Sequence, residues 1–353
     1  MRLIDELLGP LICLIFNFYN AAKRPFAKYK LNPNQVNNIV LIKFFGMGSI
    51  LLAGPMIRAL KNRFPKAKII FLTFSSNEQI CYCIDLIDEV ICVKTDTFLK
   101  LIISIIKAIL KLRVKHCEIS IDLEFFAKFS TLIQYLCNTK IRVGYYLIQI
   151  GIFLKMMWRG NLLTHQVYYN PHKHATEAFL ALARSLGADT KDLRLAEVKI
   201  LDKDKEEVSR MLKEESITIS DFLIAININS SPLCLERRWP PENFIYLINR
   251  LQEHSRIKIV LIGDKNDRDY VRCLLASLNS KNNIIDLTGR LNIGGLSALL
   301  LRSNLLITSD SGPMHLADSL GTPIVAFFGP ETPVRFRPLG TEHIIFYPDI
   351  YCS

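Results

Sequence analysis

The chain has 353 residues, a length that suits two domains rather than one. Half of its residues are hydrophobic and 22% are charged, which supports sizeable cores and excludes a wholly disordered chain. A net charge of +11 fits a phosphate-rich substrate, an anionic membrane surface or nucleic acid; with no zinc finger, aromatic RNA-binding motif or basic recognition helix, nucleic acid is disfavoured.

The first element is apolar. Leu7 to Phe18, broken by Gly9-Pro10, is short of the ~20 residues that span a bilayer. Asp5 and Glu6 before it, and the absence of a small-residue cleavage site after it, argue against a signal peptide. Lys23, Arg24, Lys28 and Lys30 follow. Residues 1–36 are therefore expected to form a segment of their own, a helix lying on an anionic membrane surface or one docked on the protein's own body.

From residue 37 short β-rich runs alternate with helical stretches. Strands are expected at 37–44, 68–74, 89–94, 118–124 and 141–146, with helices such as 50–63 and 125–137 between them. Residues 98–115 fill one crossover; Lys100, Lys107, Lys111 and Lys115 share a helical face and the rest is strongly apolar, so the segment is a second contact with a membrane surface or, the preferred reading, a helix packed on the sheet with its lysines in water. The strand pattern lapses over 187–220, where a helix is expected at 203–214, so the domains are placed at 37–200 and 201–353. Strands resume at 221–229, 257–264, 284–290, 305–310 and 323–329, with helices at 242–253, 267–278 and 293–301. The expected fold is α/β, two Rossmann-like domains whose parallel sheets face a cleft. Ligands of such sheets bind beyond the carboxyl ends of the strands, which selects the loops after Phe44, Asn229, Gly263, Asp310 and Gly329. The nine cysteines are scattered without a CxxC pair, as expected of reduced, cytosolic thiols and not of a zinc site.

Four of those loops carry motifs. After the first strand, Gly46-x-Gly48 makes a tight turn but lacks the third glycine of a dinucleotide fingerprint, which disfavours an NAD-type dehydrogenase. Asn229-Ser230-Ser231 leads to Arg237-Arg238-Trp239-Pro240; two arginines at a strand end suit a diphosphate, or are solvated surface cations. Asp264 offers a carboxylate to ribose hydroxyls, or belongs to a solvated loop. The strongest motif runs from Thr308 to Ala317. Amides of the Ser311–Met314 turn and the following helix N-terminus make a phosphate site, and Gly312 lets backbone approach closely. Asp310 caps that helix or orients the turn, and His315 sits one step into it. The plain alternative is an ordinary capped βα turn.

Together these residues resemble glycosyltransferase family 9, the lipopolysaccharide heptosyltransferase-like family. The stretch ITSDSGPMHLADSLGTPIVAFFGP (307–330) is similar to its C-terminal signature, Arg237–Pro240 to its K/R-x-W-P element, and IVLIKFFGMGSILLAGPMIRAL (39–60) to its N-terminal signature, within a resemblance covering about residues 37–340. The resemblance implies a GT-B architecture and inverting, metal-independent transfer without a cofactor. The sugar, heptose-like, would pass from a nucleotide diphosphate donor such as ADP-heptose to a lipid-linked lipopolysaccharide-core or related envelope glycan, in the cytoplasm or at the cytoplasmic face of the inner membrane. On the donor side it implies Arg237 and Ser311, Gly312, Pro313, Met314 and His315 on the diphosphate, Asp310 on the sugar or its loop, and Asp264 on the ribose, with Asn229, Ser230 and Arg238 beside them. The acceptor-side loop would be Lys43, Gly46, Met47 and Gly48.

One departure matters. The family's aspartate after G-x-G, thought to be the general base, is Ser49 here, and serine is no base at neutral pH without an activating partner. Asp122 and Glu124, ending a neighbouring strand, are the candidate substitutes. Otherwise the acceptor needs less help, or the protein binds a sugar nucleotide without transferring it. Little chain is expected after the last strand, without the C-terminal helix that many GT-B proteins run back onto the N-domain.

Overall fold

The computed structural model describes residues 2–23, 32–125, 127–146, 159, 162–230 and 234–348. The chain divides into two compact units between Ala196 and Glu197, slightly ahead of the boundary expected at residue 200.

In the first unit α1 (Arg2–Lys23) precedes β1 (Asn38–Ile42), α2 (Met47–Leu52), α3 (Gly54–Arg63), β2 (Lys68–Phe74), α4 (Glu78–Cys83) and β3 (Glu89–Val93). Then come α5 (Phe98–Val114), β4 (Ile119–Asp122), α6 (Phe129–Leu136), β5 (Ile141–Tyr146), β6 (His165–Tyr168) and α7 (Ala175–Arg184). The strands form one parallel sheet in the order β3-β2-β1-β4-β5-β6. Its central strands β1 and β2 are near-continuous apolar runs because helices cover both faces. Val40, Ile42, Ile70 and Leu72 from β1 and β2 share one core with Leu101 and Leu112 of α5 and Ile133 of α6. The five expected strands are present; β6 is additional, an edge strand of alternating exposure with no apolar run to announce it. The helix expected at 50–63 starts earlier and breaks at Ala53, where Pro55 opens α3 and has no N–H to continue the preceding turn.

α1 belongs to this unit. The Asp5 carboxylate accepts the Lys128 and Phe129 amides at 2.8 and 2.7 Å, capping α6, and Phe16 lies 5.5 Å from the Tyr135 ring. One face of the apolar segment is thus docked on the protein. The expected basic cluster at Arg24, Lys28 and Lys30 lies outside the described residues. α5 packs on the sheet as expected, with Lys100, Lys107 and Lys111 exposed. Beside those lysines, however, the outer face is aliphatic: Ile103, Ile106, Leu110 and Val114 are exposed.

The second unit runs α8 (Asp202–Glu214), β7 (Phe222–Asn227), α9 (Pro241–Leu251), β8 (Ile257–Ile262), α10 (Arg268–Ala276) and β9 (Ile284–Asp286). It continues with α11 (Ile293–Arg302), β10 (Leu305–Ser309), α12 (Gly312–Leu320), β11 (Ile324–Phe327), α13 (Pro333–Phe336) and β12 (His343–Phe346). This sheet is also parallel, in the order β12-β11-β10-β7-β8-β9. The edge strand β12, mostly exposed, was again not legible in the sequence.

Both sheets have the same plan. The chain steps outward from its first strand, returns, and steps outward on the other side, so the winding reverses between β1 and β4 and between β7 and β10. At such a switch point the crossovers leave in opposite directions, and the crevice beyond the carboxyl ends is where open α/β sheets bind ligands. The loops after β7 and β10 flank one crevice; those after β1 and β4 flank the other.

Candidate functional site

The switch point of the second sheet is cross-linked by Asn227, the last residue of β7. Its Nδ2 donates to Thr308 Oγ1 at 3.1 Å, to Ser311 Oγ at 3.0 Å and to the Asn229 carbonyl at 3.2 Å. Ser311 occupies the N-cap of α12, yet its hydroxyl turns back to Thr308 (2.9 Å) and does not cap the helix. The first amides of a helix have no partner within it. Pro313 has no N–H, so Gly312 and Met314 supply the donors of this turn. Capping is not the task of Asp310 either, because its carboxylate faces Arg237.

Arg237 Nη1 lies 3.2 Å from Asp310 Oδ2 and Nη2 lies 3.3 Å from Glu331, which also holds Arg335 at 3.1 Å. Asp310 is 3% exposed. Burial pushes its carboxyl up from 3.8 to about 6; Arg237 pulls it down and Glu331 pushes it further up. The next arginine, Arg238, lies over the Tyr270 ring at 4.2 Å and 3.5 Å from Asp267. Trp239 anchors both: its amide donates to Ser309 Oγ at 3.1 Å, and its indole stacks on Phe327 of β11 at 3.9 Å and 4°. These arginines are therefore fixed to the sheet and are not freely solvated.

Other expected donor residues are placed differently. Asp264 is exposed and its carboxylate is engaged locally, accepting the Asn266 amide at 2.6 Å in a capping box with Asp267. Asp267, not Asp264, meets Arg238. Ser230 Oγ donates to the Cys234 carbonyl at 3.1 Å, holding its own loop. The side chains of Met314 and His315 are 0% and 4% exposed, and His315 stands edge-on to Phe336 at 6.5 Å, so both pack in the core. Gly263 is required by space: a Cβ there would sit 2.6 Å from Asn229 Nδ2.

Five buried polar atoms of this region have no hydrogen-bond partner among the described residues: Asn229 Oδ1, Arg237 Nε, Arg238 Nε, Thr288 Oγ1 and Asp310 Oδ2. The Asp310–Arg237 contact is an ion pair without hydrogen-bond alignment. An unmet buried donor or acceptor costs about 1–3 kcal/mol. Several such atoms in the loops after β7 and β9 and at the end of β10 point to a place made for a ligand's hydrogen bonds. Thr288 had no signal in the sequence beyond following a strand.

In the first sheet the turn after β1 contains Gly46 at φ +87°, where glycine is favoured. Glu124 clasps this turn. Its Oε1 accepts the amides of Phe44 (2.7 Å) and Phe45 (3.1 Å), and its Oε2 accepts Lys43 Nζ (3.0 Å). Glu124 and Lys43 are 6% and 3% exposed. Asp122 is fully buried and accepts from Ser130 and Thr131 (each 2.8 Å), Arg159 (3.2 Å) and the Glu124 amide (3.0 Å). Burial raises its pKa, with Arg159 and these hydrogen bonds opposing. Arg159 also donates to the Glu124 carbonyl at 2.6 Å. Asp122 and Glu124, the candidate bases, thus fasten the β1 turn and the β4 end, with their carboxylates engaged by these donors. Gly48 and Ser49 lie in α2 behind Met47, Ser49 half-buried, with its Oγ 3.3 Å from where a Cβ on Gly46 would stand.

The model of glycosyltransferase family 9 (heptosyltransferase) matches residues 111–353, more than half of the chain. The chain belongs to this family. The match takes in the second half of the first unit and the whole of the second, so the Thr308–His315 turn and Arg237–Pro240 lie within it, while the Gly46–Ser49 turn lies outside it. Lipopolysaccharide heptosyltransferase 2 of Salmonella typhimurium is 29% identical over 134 residues, which are 36% of this chain and 38% of that protein, so the alignment spans little more than a third of either. A family 9 glycosyltransferase structure from Veillonella parvula superposes with a TM-score of 0.77 at 24% identity, covering 90% of this chain and 87% of that one. The E. coli structure of ADP-heptose lps heptosyltransferase II gives 0.71 at 20%, covering 88% and 90%. These likenesses establish a shared fold.

Proposed function

We propose that this family 9 chain is a glycosyltransferase that takes a sugar from a nucleoside diphosphate donor bound to its second unit. The observation that carries this is the group of buried polar atoms without partners at the carboxyl ends of the second sheet, beside an anchored arginine pair and an uncapped helix N-terminus. In this assignment the amides of Gly312 and Met314 and the guanidinium of Arg237 hold the diphosphate, and the same groups stabilise it as it departs. Asp310 holds Arg237 in place. Asn229 and Thr288 serve the nucleoside side. The names of the relatives support a heptose-like sugar, an ADP-linked donor and a lipopolysaccharide-core acceptor; in this assignment the acceptor is met on the Gly46–Ser49 side. A second possibility, sugar-nucleotide binding without transfer, is favoured by Ser49 in place of aspartate and by the full engagement of Asp122 and Glu124.

Calorimetric titration with ADP tests the donor site. Arg237→Ala should weaken ADP binding by about ten- to a hundredfold, the value of a charge-assisted hydrogen bond pair; an unchanged affinity refutes it. The same variant should alter the pH dependence of stability. A carboxyl whose folded value exceeds its unfolded 3.8 stabilises the fold fully below pH 3.8 and loses that contribution as pH rises through about 6. Without Arg237 the Asp310 value rises, so the loss extends to higher pH, and in Asp310→Asn it disappears. Denaturation midpoints between about pH 4 and pH 8 check both.

A further inference from the structure

We propose that α1 and α5 together form a platform that binds the surface of an anionic phospholipid bilayer. It is independent of the donor assignment. α6 has no exposed residue and lies between the two: α1 meets it through Asp5 and Phe16, and α5 through a shared core and through Arg113 Nε, which donates to the Leu136 carbonyl at 2.7 Å. α1 and α5 therefore pack against the same helix.

Both helices carry apolar residues where a surface helix normally carries polar ones. On α1, Asp5, Gly9, Cys13 and Phe16 follow one stripe toward the body, and Leu11, Ile15 and Phe18 follow another, the last two 60% and 72% exposed. No charged residue occurs from Leu7 to Ala22. On α5 the stripe runs from Ile103 through Ile106 and Leu110 to Val114, which is 78% exposed. Exposed apolar surface of this extent marks an interaction site.

Charge selects the occupant. α5 and its C-cap carry Lys100, Lys107, Lys111, Arg113 and Lys115; Asp96 pairs with Lys100 at 3.3 Å, and Glu89 with Lys111 and Lys115 at 2.9 and 2.7 Å, so five cations against two carboxylates leave the face net positive. An aliphatic stripe edged by lysines suits acyl chains under anionic headgroups, with the lysine stems extending to the phosphates. A two-fold contact with a second copy would instead set this net positive face against another like it. No described helix is long and apolar enough to cross a membrane, so the helices would lie along the surface.

Flotation of the full chain with vesicles tests this, using equal parts phosphatidylcholine and phosphatidylglycerol against phosphatidylcholine alone. Recovery with the anionic vesicles should exceed that with neutral ones by at least about tenfold and fall as salt is raised. Ile15→Glu with Phe18→Glu on α1, and Ile106→Glu with Leu110→Glu on α5, should each lower it by about tenfold or more. All four sites are exposed, so thermal unfolding and ADP affinity should stay as in the wild type. Absence of wild-type flotation, equal flotation with both vesicle types, or variants floating like the wild type would overturn the proposal. So would variants that dissociate a dimer on size exclusion while flotation is unchanged, since a second copy would then cover the face.

Discussion

Glu124→Ala should destabilise the first unit by about 3–5 kcal/mol, the cost of removing one partner from a buried ion pair. The substitution strands the Lys43 ammonium, itself 3% exposed, in a site that no longer compensates it. It also deprives the Phe44 and Phe45 amides of their shared acceptor. Glu124→Gln keeps one carbonyl acceptor and loses the charge, so it should fall between alanine and wild type. Adding Lys43→Met to Glu124→Ala removes the stranded charge and should recover part of the loss, leaving the cost of the unmet amides. Urea denaturation followed by far-ultraviolet circular dichroism measures all three. A loss under about 1 kcal/mol for Glu124→Ala would mean that water reaches Lys43 and that the clasp is not structural. A catalytic base would behave in the opposite way, with glutamine keeping stability and abolishing turnover.

Glu124 and Asp122 show where sequence reading ends. Their position at the end of a strand was legible, because the β-rich run ends on Asp122 and Glu124. What faces them was not: Lys43 lies 81 residues before Glu124, and Arg159 lies 37 residues after Asp122. Local motifs fared differently. The arginines at 237 and 238 precede a tryptophan and two prolines that set the start of α9, and the turn from Thr308 to Met314 joins a strand to a helix within a few residues. Both are found at the switch point of the second sheet, whose strands were visible because burial on both faces makes them continuously apolar. The edge strands β6 and β12 have no such requirement and gave no signal. Nor did Thr288, whose unmet hydroxyl becomes visible only when β8 and β9 pair. For α5 the sequence left two readings, a helix packed on the sheet with its lysines in water and a membrane contact; the helix does pack on the sheet, and which of its many apolar residues stay outside, Ile103, Ile106, Leu110 and Val114, becomes visible only in the fold.

Ser49→Asp should raise the rate of sugar transfer by about 10²–10⁴-fold, the range of a positioned general base. An acceptor hydroxyl must lose its proton as it attacks the anomeric carbon, and a serine hydroxyl at neutral pH does not take it. The carboxylates nearest in sequence logic, Asp122 and Glu124, are committed to Arg159 and to Lys43 with the turn amides. Position 49 is suited to an acid. It lies in α2 just after the glycine turn, it is half-buried rather than enclosed, and Gly46 leaves the adjoining space without a side chain. An aspartate there keeps contact with water and so remains ionised near neutrality. ADP affinity should not change, because the diphosphate site is assigned to the second unit; the gain should appear in kcat. Transfer from ADP-heptose to a lipopolysaccharide-core oligosaccharide, followed as ADP release, measures it. A rate that is finite in the wild type and unmoved in the variant would mean that the proton leaves by a route that bypasses residue 49. No turnover in either protein, with ADP binding intact, would favour a chain that holds a sugar nucleotide without transferring it.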